Sequence, residues 1–212
     1  MADEQDNKQP PAPKAGPGEP APAAAKPPAA PAAKPAAKAP PSRPKPPAPE
    51  PLDNEMIRRL RARFGDAIGE ASTDRGQPIV IVQPARLLEA GRYLREEEKF
   101  NLLEDLTAVD WYDRRPRFDL ILNLYSFERN QRLRVKVPTG DTCPSVAALW
   151  PTANWLEREA FDMFGLRFQG HPNLKRILLP DEWSGHPLRK DYDILKQDTD
   201  WVRENLGIES GQ

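Results

Sequence analysis

FDLILNLYSFERNQRLRVKV, running from Phe118 to Val137, is the stretch whose pattern decides the fold. Phe118, Leu120, Leu122 and Leu124 alternate with Asp119, Ile121, Asn123 and Tyr125, and Leu133, Val135 and Val137 alternate with Arg132, Arg134 and Lys136. A period of two puts every second side chain on one face of a strand. The polar link Glu128-Arg129-Asn130-Gln131 is short enough for a hairpin, so the two runs are expected to pair antiparallel. Strict alternation in the second run predicts one wet face and one buried face.

Working outward, Leu102 to Trp111, with Leu103, Leu106 and Val109, reads as a further strand, and so does the β-branched run Ile79-Val80-Ile81-Val82. Asp53 is placed to cap a helix through Met56, Ile57, Leu60 and Phe64, which Gly65 closes. Pro84 suits the first turn of a second helix through Leu87, Leu88, Tyr93 and Leu94. Glu96, Glu97 and Glu98 fall at its carboxyl end, where solvation should blunt their unfavourable interaction with the helix dipole. A third helix is expected to begin near Thr152 to Asn154, to carry Leu156, Ala160, Met163 and Phe164 on its apolar stripe, and to stop at Gly165. Strands adjacent in sequence, interleaved with helices, predict an α+β domain over residues 52–168: a mostly antiparallel sheet with helices packed on one side.

The flanks differ from this body. Residues 1–51 are nearly all Pro, Ala and Lys, with no aromatic residue and no Leu, Ile or Val, so they read as a disordered tail. Its sparse surplus of Lys and Arg between Lys14 and Lys45 reads as a solvated extension rather than a lipid or RNA contact. The tail carries seven Lys/Arg against five Asp/Glu, which leaves a net charge of about −3 on the rest of a chain whose total is −1. A domain that grips nucleic acid would be basic, so that class is set aside. The single Cys143 excludes an internal disulfide and a cysteine-held iron–sulfur or zinc cluster. No run of about 18 apolar residues is present, and the acidic start lacks the features of a secretory or transit segment, so a bacterial-type cytoplasm is expected. Residues 169–212 have little periodicity but are rich in Gly, Pro, Trp and charge, and read as an extended interaction arm.

Two constellations could carry chemistry. In Trp155 to Leu166, WLEREAFDMFGL, the carboxylates Glu157 and Glu159 lie on opposite flanks of the helix and so cannot converge on one substrate atom, while Arg158 and Asp162 stand at i, i+4 and can pair. These residues, with Gly165, are expected to tie the helix edges to neighbouring loops or to a partner. His171 and His186 each sit in a Gly-His-Pro turn, fifteen residues apart and without the close ligand pairs of a zinc site, so each imidazole is expected to bond backbone rather than join Cys143 around a metal. No phosphate-binding loop or nucleophile elbow occurs. Trp183 and the run Leu188-Arg189-Lys190-Asp191-Tyr192 combine the residue types that dominate interfaces.

These same stretches carry a resemblance. EREAFDMFGL (Glu157 to Leu166), GHP (Gly170 to Pro172), LKRILLP (Leu174 to Pro180) and GHPLRKDY (Gly185 to Tyr192), preceded by LTAVDW (Leu106 to Trp111) and PSVAALWPTANW (Pro144 to Trp155), closely resemble the signature of the C-type, 30 kDa subunit of respiratory NADH:quinone oxidoreductase (complex I). The likeness runs from about Leu52 to Ile194 and leaves the tail out. It implies a scaffolding subunit of the hydrophilic arm that carries no catalytic residue and no cofactor, FMN and iron–sulfur clusters being held by partner subunits. It implies packing chiefly on the large D-type subunit that helps form the quinone site, no nucleic acid, and an indirect, peripheral association with the cytoplasmic face of the bacterial inner membrane. On this basis the partner interface is assigned to His171, Arg176, Trp183, His186, Arg189, Lys190, Asp191 and Tyr192. Membrane-bound hydrogenase and F420H2 dehydrogenase complexes have homologous subunits and remain the alternative, ahead of an independent metal-dependent enzyme.

Overall fold

The computed structural model describes residues 48–195 and 199–207. The hairpin that the alternation predicts is its centre. Strand β5 (Phe118–Ser126) and strand β6 (Gln131–Thr139) pair antiparallel with Leu120 opposite Val137, Leu122 opposite Val135 and Leu124 opposite Leu133. The link between them is Phe127–Asn130, Gln131 already being paired, and Asn130 takes the left-handed conformation with φ 49°. Strand β4 (Leu102–Asp110) extends the same face on the far side, with Leu106 opposite Leu122 and Ala108 opposite Leu120.

The other half of the sheet contains what the pattern does not announce. Glu50–Pro51 (β1), Ile68–Asp74 (β2) and Gln77–Val82 (β3) form a second antiparallel set, in which β2 and β3 turn through Arg75 and Gly76. Both turn residues have positive φ, 51° and 79°, as a two-residue turn of the hand that suits twisted strands requires. The two sets meet where β3 lies parallel to β6, Val80 beside Val135, giving the order β1-β2-β3-β6-β5-β4. The sheet is therefore mixed but mostly antiparallel. Strand pairing reaches Glu50 and Pro51, two residues inside the span expected to be tail. Residues 1–47 of that span lie outside the described residues.

Helices α1 (Glu55–Phe64), α2 (Leu87–Glu96) and α3 (Ala153–Phe164) supply Ile57, Leu60, Leu87, Leu94, Ala153 and Ala160 to one cluster with the inward residues of the sheet. Burial of each Leu or Ile of this set contributes roughly 1.5–3 kcal/mol. Three expectations are corrected here. The cap of α1 is Asn54, whose side chain accepts from the Ile57 N–H; Asp53 instead pairs with Arg58. Glu98 is not solvated but 1% exposed, because it accepts from Arg59 at 2.8 Å, from the Tyr93 hydroxyl and from Arg129. Arg158 and Asp162 do not pair, each being drawn to the segment that follows α3. Strands β7 (Thr142–Pro144) and β8 (Arg167–Gln169) form a small parallel pair beside α3, and α4 (Thr199–Leu206) ends the described chain.

Candidate partner-docking site

Helix α3 is the anchor of everything downstream. Apolar residues at Ala153, Ala160 and Phe164 set one face against the sheet, which also turns Glu157 and Asp162 inward. A buried carboxylate is expensive unless it is saturated with donors. Asp162 is so saturated: Oδ1 takes the Arg176 guanidinium at 2.7 Å, and Oδ2 takes the N–H groups of Ile177, Leu178 and Leu179 at 3.0, 2.8 and 2.9 Å. Burial pushes its pKa up, but these four donors outweigh burial and hold it below the ordinary value. Arg158, one turn earlier, donates to the carbonyls of Lys175 and Arg176. The segment LKRILLP is thus gripped from both sides by the helix it follows.

The helix end is closed by the same arm. The last carbonyls of an α-helix lack partners within the helix. Here Phe161 O accepts from the Gly165 N–H, Asp162 O from His186 Nδ1 at 2.8 Å, and Met163 O from the Leu188 N–H at 3.0 Å. Because a carbonyl only accepts, His186 carries its proton on Nδ1. Burial lowers its pKa, and Arg176 and Arg189 act in the same direction, so the ring is neutral near pH 7. Its other edge lies on Gly165, where a Cβ would come within 2.7 Å of the imidazole, and Gly165 itself has φ 75°. Glycine is needed at that position on two independent grounds.

His171 behaves alike: Nε2 is 3.0 Å from Asn154 O, and Nδ1 accepts from the Asn173 N–H. Both imidazoles bond backbone, as their turns predict, and among the described residues no group of metal-ligating side chains gathers. Cys143 lies apart and buried, its thiol pushed up to about 12 by burial first and by Glu157 second.

Further along, the charged run is also tied to the body. Asp110 receives Arg117 through two 2.7 Å contacts and the Lys190 N–H at 2.8 Å. Arg117 in turn forks Asp191 at 2.7 and 2.9 Å, holding that carboxylate at a pKa of about 2. Arg189 lies 5.4 Å over the Phe118 ring and reaches Asp141 at 3.2 Å. The Tyr192 ring packs on Gly185, and Trp183 meets Trp201 edge-on at 5.7 Å. Asp110 and Arg117 hold the arm to the sheet, and sequence reasoning missed them. The signal was available, since Asp110 continues the inward parity of Leu106 and Ala108, and an acid on a buried face needs a partner.

Glu157 plays a different part. It is fully buried, accepts from Ser145 Oγ and from the Val146 N–H, both at 2.6 Å, and is pushed up to about 7 by burial, against which those two bonds work. Glu159 is exposed and stands outside this network. Six of the eight assigned interface residues, His171, Arg176, His186, Arg189, Lys190 and Asp191, have hydrogen bonds or ion pairs that fix the arm to the rest of its own chain, through side chain or backbone. Leu178, Leu188, Ile194 and Leu195 are left facing out, 52–88% exposed.

Residues 80–198 match the family model described as the respiratory-chain NADH dehydrogenase 30 kDa subunit. The chain belongs to this family. Its arm, from His171 to Tyr192, and the helix that holds it both fall inside the matched span. Among curated 30 kDa-family relatives, the NADH-quinone oxidoreductase C-subunit of Geotalea uraniireducens (strain Rf4) is 42% identical over 157 residues, which are 73% of this chain and 96% of that protein. The corresponding C-subunit of Roseiflexus sp. (strain RS-1) is 47% identical over 149 residues, 68% of this chain and 86% of that one. A solved trypsin-resistant fragment (1–134) of Nqo5 superposes with a TM-score of 0.50 at 28% identity, covering 56% of this chain and 96% of the fragment. A chain of the membrane-bound sulfane sulfur reductase, an archaeal respiratory membrane complex, shares the fold with a TM-score of 0.58 at 23% identity, covering 73% of this chain and 91% of that one. Among the described residues, no helix is long and apolar enough to cross a membrane.

Proposed function

We propose that this chain is a structural subunit of the hydrophilic arm of a proton-pumping NADH:quinone oxidoreductase, with FMN and iron–sulfur clusters in partner subunits passing electrons from NADH to quinone. It packs chiefly on the large D-type subunit near the quinone site and associates with the cytoplasmic face of the bacterial inner membrane only through the complex. The observation that carries this reading is the arm. A segment without regular structure is held to its own helix by a dense set of bonds, yet it keeps Leu178, Leu188, Ile194 and Leu195 in water. Covering each of these leucines or isoleucine would contribute roughly 1.5–3 kcal/mol, which favours a partner surface over solvent. The single, buried, strongly protonated Cys143 supports the absence of a cluster from this subunit.

The test is affinity purification of the tagged full chain from its native membranes, followed by identification of co-purifying subunits and by NADH-driven quinone reduction. The D-type subunit and the activity are expected with the wild-type chain, and a several-fold lower yield with Leu178→Ser/Leu195→Ser whose folding is verified by circular dichroism. A wild-type chain that brings down no other subunit of such a complex overturns the reading. Reduction driven by hydrogen or F420H2 rather than NADH would replace the donor and keep the subunit role.

A further inference from the structure

At the foot of α3 lies a cleft of about 540 Å³ lined by Asp141, Thr142, Arg167, Arg176, His186 and Arg189. The donors in it are unequally used. Arg176 is engaged by Asp162 and by Gly185 O, and the Nδ1 proton of His186 goes to Asp162 O. Arg189 has one 3.2 Å ion pair, to an Asp141 side chain that is 73% exposed, and its Nε is buried without an acceptor. Such an exposed pair contributes little. Arg167 is exposed, and its guanidinium has no hydrogen bond or ion pair among the described residues. Three guanidiniums against Asp141 and Asp162 leave one positive charge in excess, since Asp191, whose charge Arg189 also feels, is already forked by Arg117.

Helix capping does not explain that excess. The terminal carbonyls of α3 already have donors in the Gly165 N–H, His186 Nδ1 and the Leu188 N–H. We propose that the cleft receives one Asp or Glu side chain of a neighbouring subunit, held by Arg167 and Arg189, and that Asp141 is the intrachain acceptor which this carboxylate displaces from Arg189. Guanidinium groups match a carboxylate edge with two parallel bonds, which gives the contact geometric selectivity. A carboxylate fits the cleft better than a phosphate dianion, because one charge cancels the excess and a second would face Asp141 and Asp162. A protein fits better than a free small acid, because exposed Leu188 adjoins Arg189 and needs covering by the same partner.

The proposal rests on the docking role and is tested in the assembled complex. In the Arg167→Lys variant, a water-soluble carbodiimide joins the introduced amine to any carboxylate in contact with it. Mass spectrometry should find an amide to an Asp or Glu of another subunit, and Arg167→Glu should lower the yield of complex at least five-fold while the isolated chain keeps its wild-type circular dichroism. Two results overturn the proposal: wild-type yield from Arg167→Glu, or cross-links only to Asp141 within the chain. Stabilisation of the isolated chain by inorganic phosphate that is lost in Arg167→Ala, without an inter-subunit cross-link, overturns it in favour of a phosphate group. If the wild-type chain assembles and the Arg167 variants match it, this cleft is at fault; if the wild-type chain does not assemble, the docking role itself fails.

Discussion

Removing the carboxylate of Asp162 should release the arm without unfolding the body. In Asp162→Ala the N–H groups of Ile177, Leu178 and Leu179 lose their shared acceptor, and Arg176 loses its 2.7 Å partner. Removing one partner of a buried, hydrogen-bonded pair costs about 3–5 kcal/mol. Ile177 and Leu179 are only half-buried and Leu178 is exposed, so water can recover part of that loss, and the lower end, about 3 kcal/mol, is the working figure. It appears as a lower free energy of local opening. At about 1.4 kcal/mol for each factor of ten, amide exchange at 177–179 should accelerate on the order of 100-fold. Asp162→Asn should fall between, since its carbonyl oxygen still accepts from the three N–H groups while its amide presents donors to Arg176. Native-state hydrogen exchange read by mass spectrometry on peptides covering Leu174 to Pro180 measures this directly. Peptides from β5 and β6 serve as the internal control. Unchanged exchange at 177–179 in Asp162→Ala, with an unchanged Tm, would falsify the assignment of Asp162 as the latch.

Three further outcomes are expected. Glu157 has a folded pKa of about 7, above its ordinary value of 4.5, so its contribution to stability is full below about pH 4.5 and is lost as pH rises to about 7. The loss is on the order of 3 kcal/mol, and Glu157→Gln, which mimics the protonated form, should remove that decline in urea titrations run from pH 4.5 to 8. Gly165→Ala must strain a φ of 75° and meet the His186 ring at 2.7 Å, so a loss of about 2–4 kcal/mol and faster exchange of the Leu188 amide are expected, and a Tm within one degree of wild type, roughly, would contradict the packing. Arg117→Ala strands buried Asp110 and releases Asp191; loss of about 3 kcal/mol or more by denaturant titration, with faster proteolysis after Lys190, is expected, and a neutral effect would show that the Asp110–Arg117–Asp191 chain is incidental.

How much of this was legible in the sequence depends on the distance over which each feature is encoded. Alternation from Phe118 to Val137 is local, and it specified both strands and their buried face, while the register, with Gln131 already paired to Ser126, came one residue away from the expected link. Strand β2 escaped because Gly69, Glu70, Ala71 and Ser72 have weak strand preference, and the Arg75-Gly76 turn was the signal overlooked. Asp53 and Asn54 both qualify as caps by residue type, and the structure uses Asn54, while Asp53 pairs with Arg58 at the surface. Arg158 and Asp162 satisfy the i, i+4 rule, yet tertiary geometry prevails, since Asp162 faces the interior and meets donors fourteen to seventeen residues downstream. Glu98 was misplaced for the same reason, as its partners Arg59 and Arg129 lie 39 and 31 residues away. Short-range rules do not detect pairings at such separations.

The bonds that hold the arm to its own chain give its outward leucines their use. A free peptide carrying Leu178, Leu188, Ile194 and Leu195 would have to be ordered on binding, at roughly 0.5–1.5 kcal/mol for each immobilised side chain and more for the backbone. Asp162, Arg158, Asp110 and Arg117 fix the arm at Lys175 to Leu179 and at Lys190 and Asp191 before any partner arrives. The ion pairs are therefore most valuable where they bind no partner themselves. On that account, loosening the latch by Asp162→Asn should weaken association chiefly by lowering the fraction of chains with a formed arm, and the deficit should be recoverable by raising the concentration of the partner subunit. Truncating the outward leucines removes contact area instead, so the weakening persists even when exchange at 177–179 shows the arm fully formed. Measuring exchange and assembly yield on the same two variants separates preorganisation from contact. If Asp162→Asn clearly accelerated exchange at 177–179 and left assembly unaffected at limiting partner concentration, preorganisation would have no part in docking.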